Sequence, residues 1–334
     1  RPITATFVYG WRCDMIAWCG RVAVLSIGSL CALALIATLP MFSFELSPDA
    51  GITSTQPLMM EAQSIRALAK TSPAKRHFPS ALVIGVRKGG TRALLDALAL
   101  HPRIKAARRE VHYFDDEINF KKGTEWYLQQ MPLSTEEMIT IEKTPAYFTN
   151  RLVPERVHRM NPAMKIILIV REPVIRAISD FTQVYYNRLE MNKTLPEFSS
   201  LAFTREGRIG MTYKPVRNSI YELHLSPWLR LFPLKQILVL DGDAFAKDPL
   251  SQLRIAEEFL GISHLIQTDQ LIFDPAKGFY CFRKAHLSKA KCLGRSKGRP
   301  HREIDNEVQR QLSKLLRPHN RAFFQMINRS FDWQ

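Results

Sequence analysis

The sequence predicts an α/β fold over residues 80–334, built on a central, mainly parallel sheet and preceded by a transmembrane helix and a stem. Three observations predict it. Short unbroken runs of Val, Ile and Leu recur after residue 80 and alternate with segments of helical spacing, the pattern of parallel strands covered on both faces. A glycine-rich turn, Lys88-Gly89-Gly90-Thr91-Arg92, joins the first such run to the first such helix. Near the start lies an apolar run without a charged residue, followed by a stretch rich in Pro, Ser and Thr.

That run, Val22 to Leu39, is long enough to cross a ~30 Å hydrocarbon core as a helix. Arg12 and Arg21 precede it, and Glu45 and Asp49 follow it. The positive-inside tendency makes 1–21 a cytoplasmic tail, 22–39 a signal-anchor and the rest luminal. A cleaved signal peptide and a buried core helix are the alternatives. Residues 40–79 read as a flexible stem, with order beginning near Ser80.

The domain's elements follow in order. Ala81–Gly85 (ALVIG) reads as a buried strand, and Thr91–Leu100 has helical spacing that stops at His101-Pro102. Ile139–Glu142 is a short strand. Lys165–Val170 is another buried strand, with Pro173 placed to open the next helix. Gln236–Leu240 is the last, ended by Asp241-Gly242-Asp243. Along helix 173–189, Ile175, Ile178, Phe181 and Tyr185 read as core packing.

The chain has 334 residues, a 46% apolar fraction and a net charge of +16. The cation surplus points to a polyanionic partner: nucleic acid, an anionic membrane face or an acidic polysaccharide. Of five cysteines only Cys281 and Cys292 lie in the presumed luminal part. One pair in an oxidising compartment reads as a disulfide, with a metal-holding pair as the alternative. Asn192-Lys193-Thr194 and Asn328-Arg329-Ser330 are glycosylation sequons.

Four motifs carry chemistry. In the first, two glycines let backbone approach an anion at a helix start, where amides and the helix dipole favour negative charge; Lys88 and Arg92 add full charges. The lysine precedes the glycines, unlike the pattern of a nucleotide-triphosphate loop. The second is Arg171-Glu172-Pro173 at a strand tip, with Ser179 nearly two helical turns on, a clamp for a second phosphate. The third is Glu110-Val111-His112-Tyr113-Phe114-Asp115, where an extended backbone points Glu110 and His112 to one side, a carboxylate beside an imidazole for acid–base work. The fourth is Glu142-Lys143-Thr144-Pro145, a lysine past a strand end, facing the ligand crevice of an open α/β sheet. Ser179 and Gln183 share a helix face.

At these residues the sequence resembles the heparan sulfate glucosamine 3-O-sulfotransferase family over about residues 80–334. The blocks run in order: VIGVRKGGTRALL, EVHYFD, WYLQQMP, EKTPAYFT, VREP with SDFTQVYYN, WLRLFP, DGD, KGFYCFR, SKGR and FDW. The resemblance implies a three-layer, P-loop-like sulfotransferase domain in the Golgi membrane, single-pass type II. It implies the donor 3′-phosphoadenosine 5′-phosphosulfate (PAPS), no required metal, and heparan sulfate rather than nucleic acid as partner. Lys88, Gly89, Gly90, Thr91 and Arg92 would hold the 5′-phosphosulfate, and Arg171 and Ser179 the 3′-phosphate. Tyr280 and Lys297, Gly298, Arg299, Pro300 and His301 would close over the nucleotide, pinned by a Cys281–Cys292 disulfide. Glu110 matches the catalytic base, and His112, Asp115, Lys143 and Gln183 match the acceptor site.

Glu172 stands where that family usually shows Asp, and Phe181 where Tyr is common. Arg108, Arg109 and Gly294 fall in segments that vary within it and bear on the preferred sulfation pattern. A related glycosaminoglycan sulfotransferase acting at an N- or 6-O position is the near alternative. A nucleotide-dependent kinase and a non-catalytic glycosaminoglycan-binding membrane protein are the distant ones.

Overall fold

Period-two alternation sorts the central strands' side chains onto two buried faces. In β6 (Lys165–Val170), Ile166, Leu168 and Val170 enter one core while Ile167 and Ile169 enter the other. β2 (Ala81–Gly85) does the same with Leu82 and Ile84 against Ala81 and Val83. The computed structural model describes residues 60, 61, 63, 64, 67, 73–284, 289–294 and 300–333. The predicted tail 1–21, the apolar run 22–39 and most of the stem lie outside them, as do Lys297, Gly298 and Arg299. Among the described residues no helix is long and apolar enough to cross a membrane.

The sheet has five strands in the order β3 (Ile104–Ala106), β5 (Ile139–Lys143), β2, β6, β7 (Ile237–Asp241), and every neighbouring pair is parallel. One face is covered by α1 (Thr91–Leu98) and α7 (Pro249–Leu260), through Leu94, Leu95, Leu98, Leu253 and Leu260. The other is covered by α5 (Tyr221–Leu229) and α8 (Asn306–Ile327), through Tyr221, Leu225, Trp228 and Phe323. This is the three-layer α/β arrangement. A third cluster joins α4 (Pro173–Glu190) to α8 through Ala177, Ile178, Phe181, Leu312 and Leu316.

The structure shifts some predicted boundaries. Order begins before Ser80: β1 (Lys75–Arg76) pairs antiparallel with β4 (Leu133–Ser134). Two residues per strand give no periodicity to read. β8 (Leu271–Asp274) and β9 (Phe279–Phe282) form an antiparallel hairpin outside the main sheet. Ile178 and Phe181 are core, but Ile175 is 37% exposed and lines a cavity instead. Asn192 and Asn328 both lie exposed.

Arg176, fully buried on α4, ties several segments together. It donates from Nε to Ser219 Oγ at 2.8 Å, from Nη1 to Asp180 Oδ2 at 3.0 Å and to the Arg87 carbonyl at 3.1 Å, and from Nη2 to the Pro215 carbonyl. Asp180, 3% exposed, also accepts from Arg87 Nε at 2.7 Å. The glycine-rich loop is thus fastened to α4 twice, by the Arg87 side chain on Asp180 and by the Arg87 carbonyl on Arg176. Arg176→Met leaves Asp180 with Arg87 alone and strips Ser219 and two buried carbonyls of their donor, and should cost about 2–4 kcal/mol in urea unfolding. Adding Asp180→Leu should recover much of that loss. A single variant as stable as the wild type would show that the pair does not hold the loop.

Candidate active site

The ends of β2, β5, β6 and β7 meet at one edge of the sheet, the position where open α/β sheets bind ligands. The loop after β2 is pressed against β6: a Cβ on Gly89 would stand 2.4 Å from the Ile169 carbonyl oxygen. From the other side Gly242 closes in, where a Cβ would stand 2.5 Å from the Gly89 carbonyl oxygen and 2.7 Å from that of Val170. Gly90, at φ +104°, is the N-cap of α1. No side chain caps this helix and no acid stands in its first turn. Its leading amides and dipole therefore face outward for an anion.

Arg92 links that end to the next segment, pairing through Nε with Asp96 at 3.0 Å and donating from Nη1 to the Arg108 carbonyl at 2.9 Å. Two residues on, the Glu110 carboxylate is held from both sides. Lys143 Nζ donates to Oε1, and His112 Nε2 lies 3.6 Å from Oε2. His112 Nδ1 lies 2.9 Å from Asp115 Oδ2. The other Asp115 oxygen is buried and accepts no hydrogen bond. Glu110 and His112 side chains are 42% and 41% exposed, whereas that of Lys143 is 4% exposed. The structure thus brings together Glu110, His112, Asp115 and Lys143, but not on an extended strand. His112 has φ +52°, and a left-handed turn faces the imidazole toward Glu110.

At the far side Arg171 Nε donates to Asp243 Oδ1 at 2.8 Å, and Asp243 Oδ2 accepts from the Glu172 amide at 3.1 Å. Glu172 caps α4, accepting from Val174 N and Ile175 N, so its role is structural. Ser179 is buried on α4. The predicted Arg171–Ser179 clamp is therefore one in which Arg171 already has a partner. His301 is exposed, and its pKa is lowered by partial desolvation and by the charges of Arg171 and Lys88. Beside it a cavity of about 700 Å³ is lined by Ile175, Ile178, His301, Arg302 and Ile304. The Arg302 amide donates to Thr182 Oγ1 at 3.0 Å, and its guanidinium lies over the Tyr185 ring. Gln183, one residue on, donates to Asn187 Oδ1 at 2.7 Å.

Cys281 and Cys292 form a disulfide, not a metal-holding pair. It fastens β9 to the segment where Phe282 and Lys291 bridge. The Tyr280 ring stacks edge-on with Phe273, and its hydroxyl donates to the Lys247 carbonyl at 3.4 Å. Arg108, Arg109 and Gly294 are exposed.

Several residues that matter here carried little signal in the sequence. Asp243 and Gly242 were legible only as a strand end, Arg176 and Asp180 as polar positions within a helix. Glu142 and Thr144 were legible only as neighbours of Lys143.

Residues 78–327 match the family described as Sulfotransferase domain. The chain is 46% identical over 259 residues to heparan sulfate glucosamine 3-O-sulfotransferase 5 of Homo sapiens, covering 77% of this chain and 75% of that one. It is 42% identical over 276 residues to heparan sulfate glucosamine 3-O-sulfotransferase 3A1 of Mus musculus, covering 82% and 69%. Among solved structures, a sulfotransferase from Alicyclobacillus acidocaldarius aligns with a TM-score of 0.56 at 20% identity, covering 76% of this chain and 98% of that one. That likeness bears on the fold alone.

The His301 environment is testable by itself. Two cations oppose imidazolium, so Lys88→Met should raise the His301 pKa in an NMR titration, and a bound anion between them should raise it further. An unmoved titration in the variant would place Lys88 away from His301.

Proposed function

The chain belongs to the heparan sulfate glucosamine 3-O-sulfotransferase family within the sulfotransferase domain proteins, and from that premise we propose that it transfers a sulfuryl group from PAPS to the 3-hydroxyl of glucosamine residues in heparan sulfate. The observation that carries the reading is the Glu110 carboxylate, bound by Lys143 and faced by His112, on the segment that Arg92 ties to the anion-holding helix.

The residues present fit such a donor. Gly89 and Gly90 bring backbone and the start of α1 to a phosphosulfate, and Lys88 and Arg92 add charge. Arg171, with Asp243 fixing its Nε, and Ser179 are the proposed holders of the 3′-phosphate. Tyr280 and the 297–301 segment are the proposed cover for the nucleotide.

In the transfer, Glu110 takes the proton of the acceptor hydroxyl as that oxygen bonds to sulfur. The bond between sulfur and the 5′-phosphate oxygen breaks, and its electron pair stays on the phosphate. Lys88 and the amides of α1 meet that charge. Lys143 and His112, which flank Glu110, would meet the charge that grows on the sulfonyl oxygens, and Asp115 fixes the imidazole that stands beside the base. Gln183 is a proposed acceptor contact. Arg108 and Arg109, exposed two residues and one residue before Glu110, offer cations to acceptor sulfates. Acceptor binding should then fall steeply with salt.

The apolar run 22–39 with its preceding arginines, the exposed sequon asparagines and the disulfide support a Golgi enzyme with its catalytic domain in the lumen.

Glu110→Gln tests the reading. Turnover, followed as heparan sulfate-dependent release of 3′-phosphoadenosine 5′-phosphate, should fall by about 10²–10³-fold or more, with the dissociation constant of that nucleotide unchanged. Equal loss of turnover and nucleotide binding would remove Glu110 from the role of base.

A further inference from the structure

Three successive backbone amides follow Glu110, and each is held by a side chain from one segment, Glu142–Tyr147. Val111 N donates to Thr144 Oγ1 at 3.1 Å and more weakly to Glu142 Oε1 at 3.4 Å. His112 N donates to Thr144 Oγ1 at 3.4 Å, and Tyr113 N to Tyr147 OH at 3.1 Å. Thr144 Oγ1 in turn donates to Glu142 Oε1 at 2.5 Å, and Tyr127 OH donates to Oε2 at 3.4 Å. Glu142 and Thr144 are both fully buried.

This clamp sits on a stretch whose backbone needs support. His112 at φ +52° is in a conformation that costs an L-residue energy unless its surroundings impose it. The same strand end supplies Lys143, which binds the Glu110 carboxylate directly. One face of the strand end thus fixes the backbone that carries the base and the imidazole, and the adjoining residue fixes the base's side chain.

We propose that Glu142, acting through Thr144, is a positioning residue for sulfuryl transfer, holding the 111–113 turn so that Glu110 and His112 face the same reacting hydroxyl. The proposal rests on the transferase reading above. Glu142 itself does not reach the site.

A merely structural role is poorly suited to this group. Burial raises the Glu142 pKa from 4.5 to about 7, against the opposing effects of the hydrogen bonds from Thr144, Tyr147 and the Val111 amide and the charge of Lys143. The groups facing it are the hydroxyls of Tyr127, Thr144 and Tyr147 and the Val111 amide, with Lys143 the nearby cation. With the folded pKa above the unfolded value, the native state binds the proton more tightly. The carboxylate therefore costs stability above about pH 7, and that cost fades toward pH 4.5. A neutral isostere relieves it while disturbing the clamp.

The experiment uses the purified protein with PAPS and heparan sulfate. Glu142→Gln and Thr144→Val should each lower kcat by about 10–100-fold, as a displacement near 1 Å does, with nucleotide affinity unchanged. Thr144→Ser should restore most of what Thr144→Val loses. Glu142→Gln should also melt no lower than the wild type at pH 8. A kcat like the wild type's in Glu142→Gln overturns the proposal, and so does a parallel fall in melting temperature and nucleotide affinity. A wild-type protein that transfers no sulfate counts against the transferase reading instead. The clamp is then read from the His112 ring resonances, and resonances unmoved in both variants overturn it.

Discussion

The strand ends of β2, β6 and β7 come so close together that only glycine fits between them. A Cβ at Gly89 would collide with the Ile169 carbonyl, and one at Gly242 with the carbonyls of Gly89 and Val170. This close approach fixes where the glycine-rich loop lies relative to the sheet. It also brings Asp243 to Arg171 and the Glu172 amide, so that the tips of β6 and β7 are joined by charge as well as by packing. Every other part of the site is placed relative to this pinned loop.

Two buried carboxylates extend the constraint in opposite directions. Asp180, paired with Arg176, fastens the loop through Arg87 to α4, the helix that carries Ser179 and Gln183. Glu142, at the end of β5, fastens the segment that carries Glu110 and His112. Each is an expensive group to take out of water unless its hydrogen bonds are met. Asp180 stands behind the glycine-rich loop and Glu142 behind the Glu110 segment. Together they keep a charged, solvent-facing site on a rigid frame.

Much of the fold was legible because it rests on local chemistry. The apolar runs ALVIG at 81–85 and IILIV at 166–170 mark buried parallel strands, and the structure places both at the predicted residues. Pro173 opens α4 as predicted, and Cys281 and Cys292 are joined. The identities around Glu110 were legible, but the backbone was not. An extended segment was the natural reading of EVHYFD, whereas hydrogen bonds from residues more than thirty positions away impose a left-handed turn at His112. β1, β3 and β4 are too short for a period to show, and Arg176 in mid-helix looks like a surface residue until its four partners are seen.

Everything in the site turns on which acceptor group receives the sulfuryl group. Incubating the protein with ³⁵S-labelled PAPS and heparan sulfate, then digesting the product and mapping its disaccharides, tests it directly. Label should appear on the 3-oxygen of glucosamine. Label on nitrogen or on the 6-oxygen, or no label at all, would contradict it.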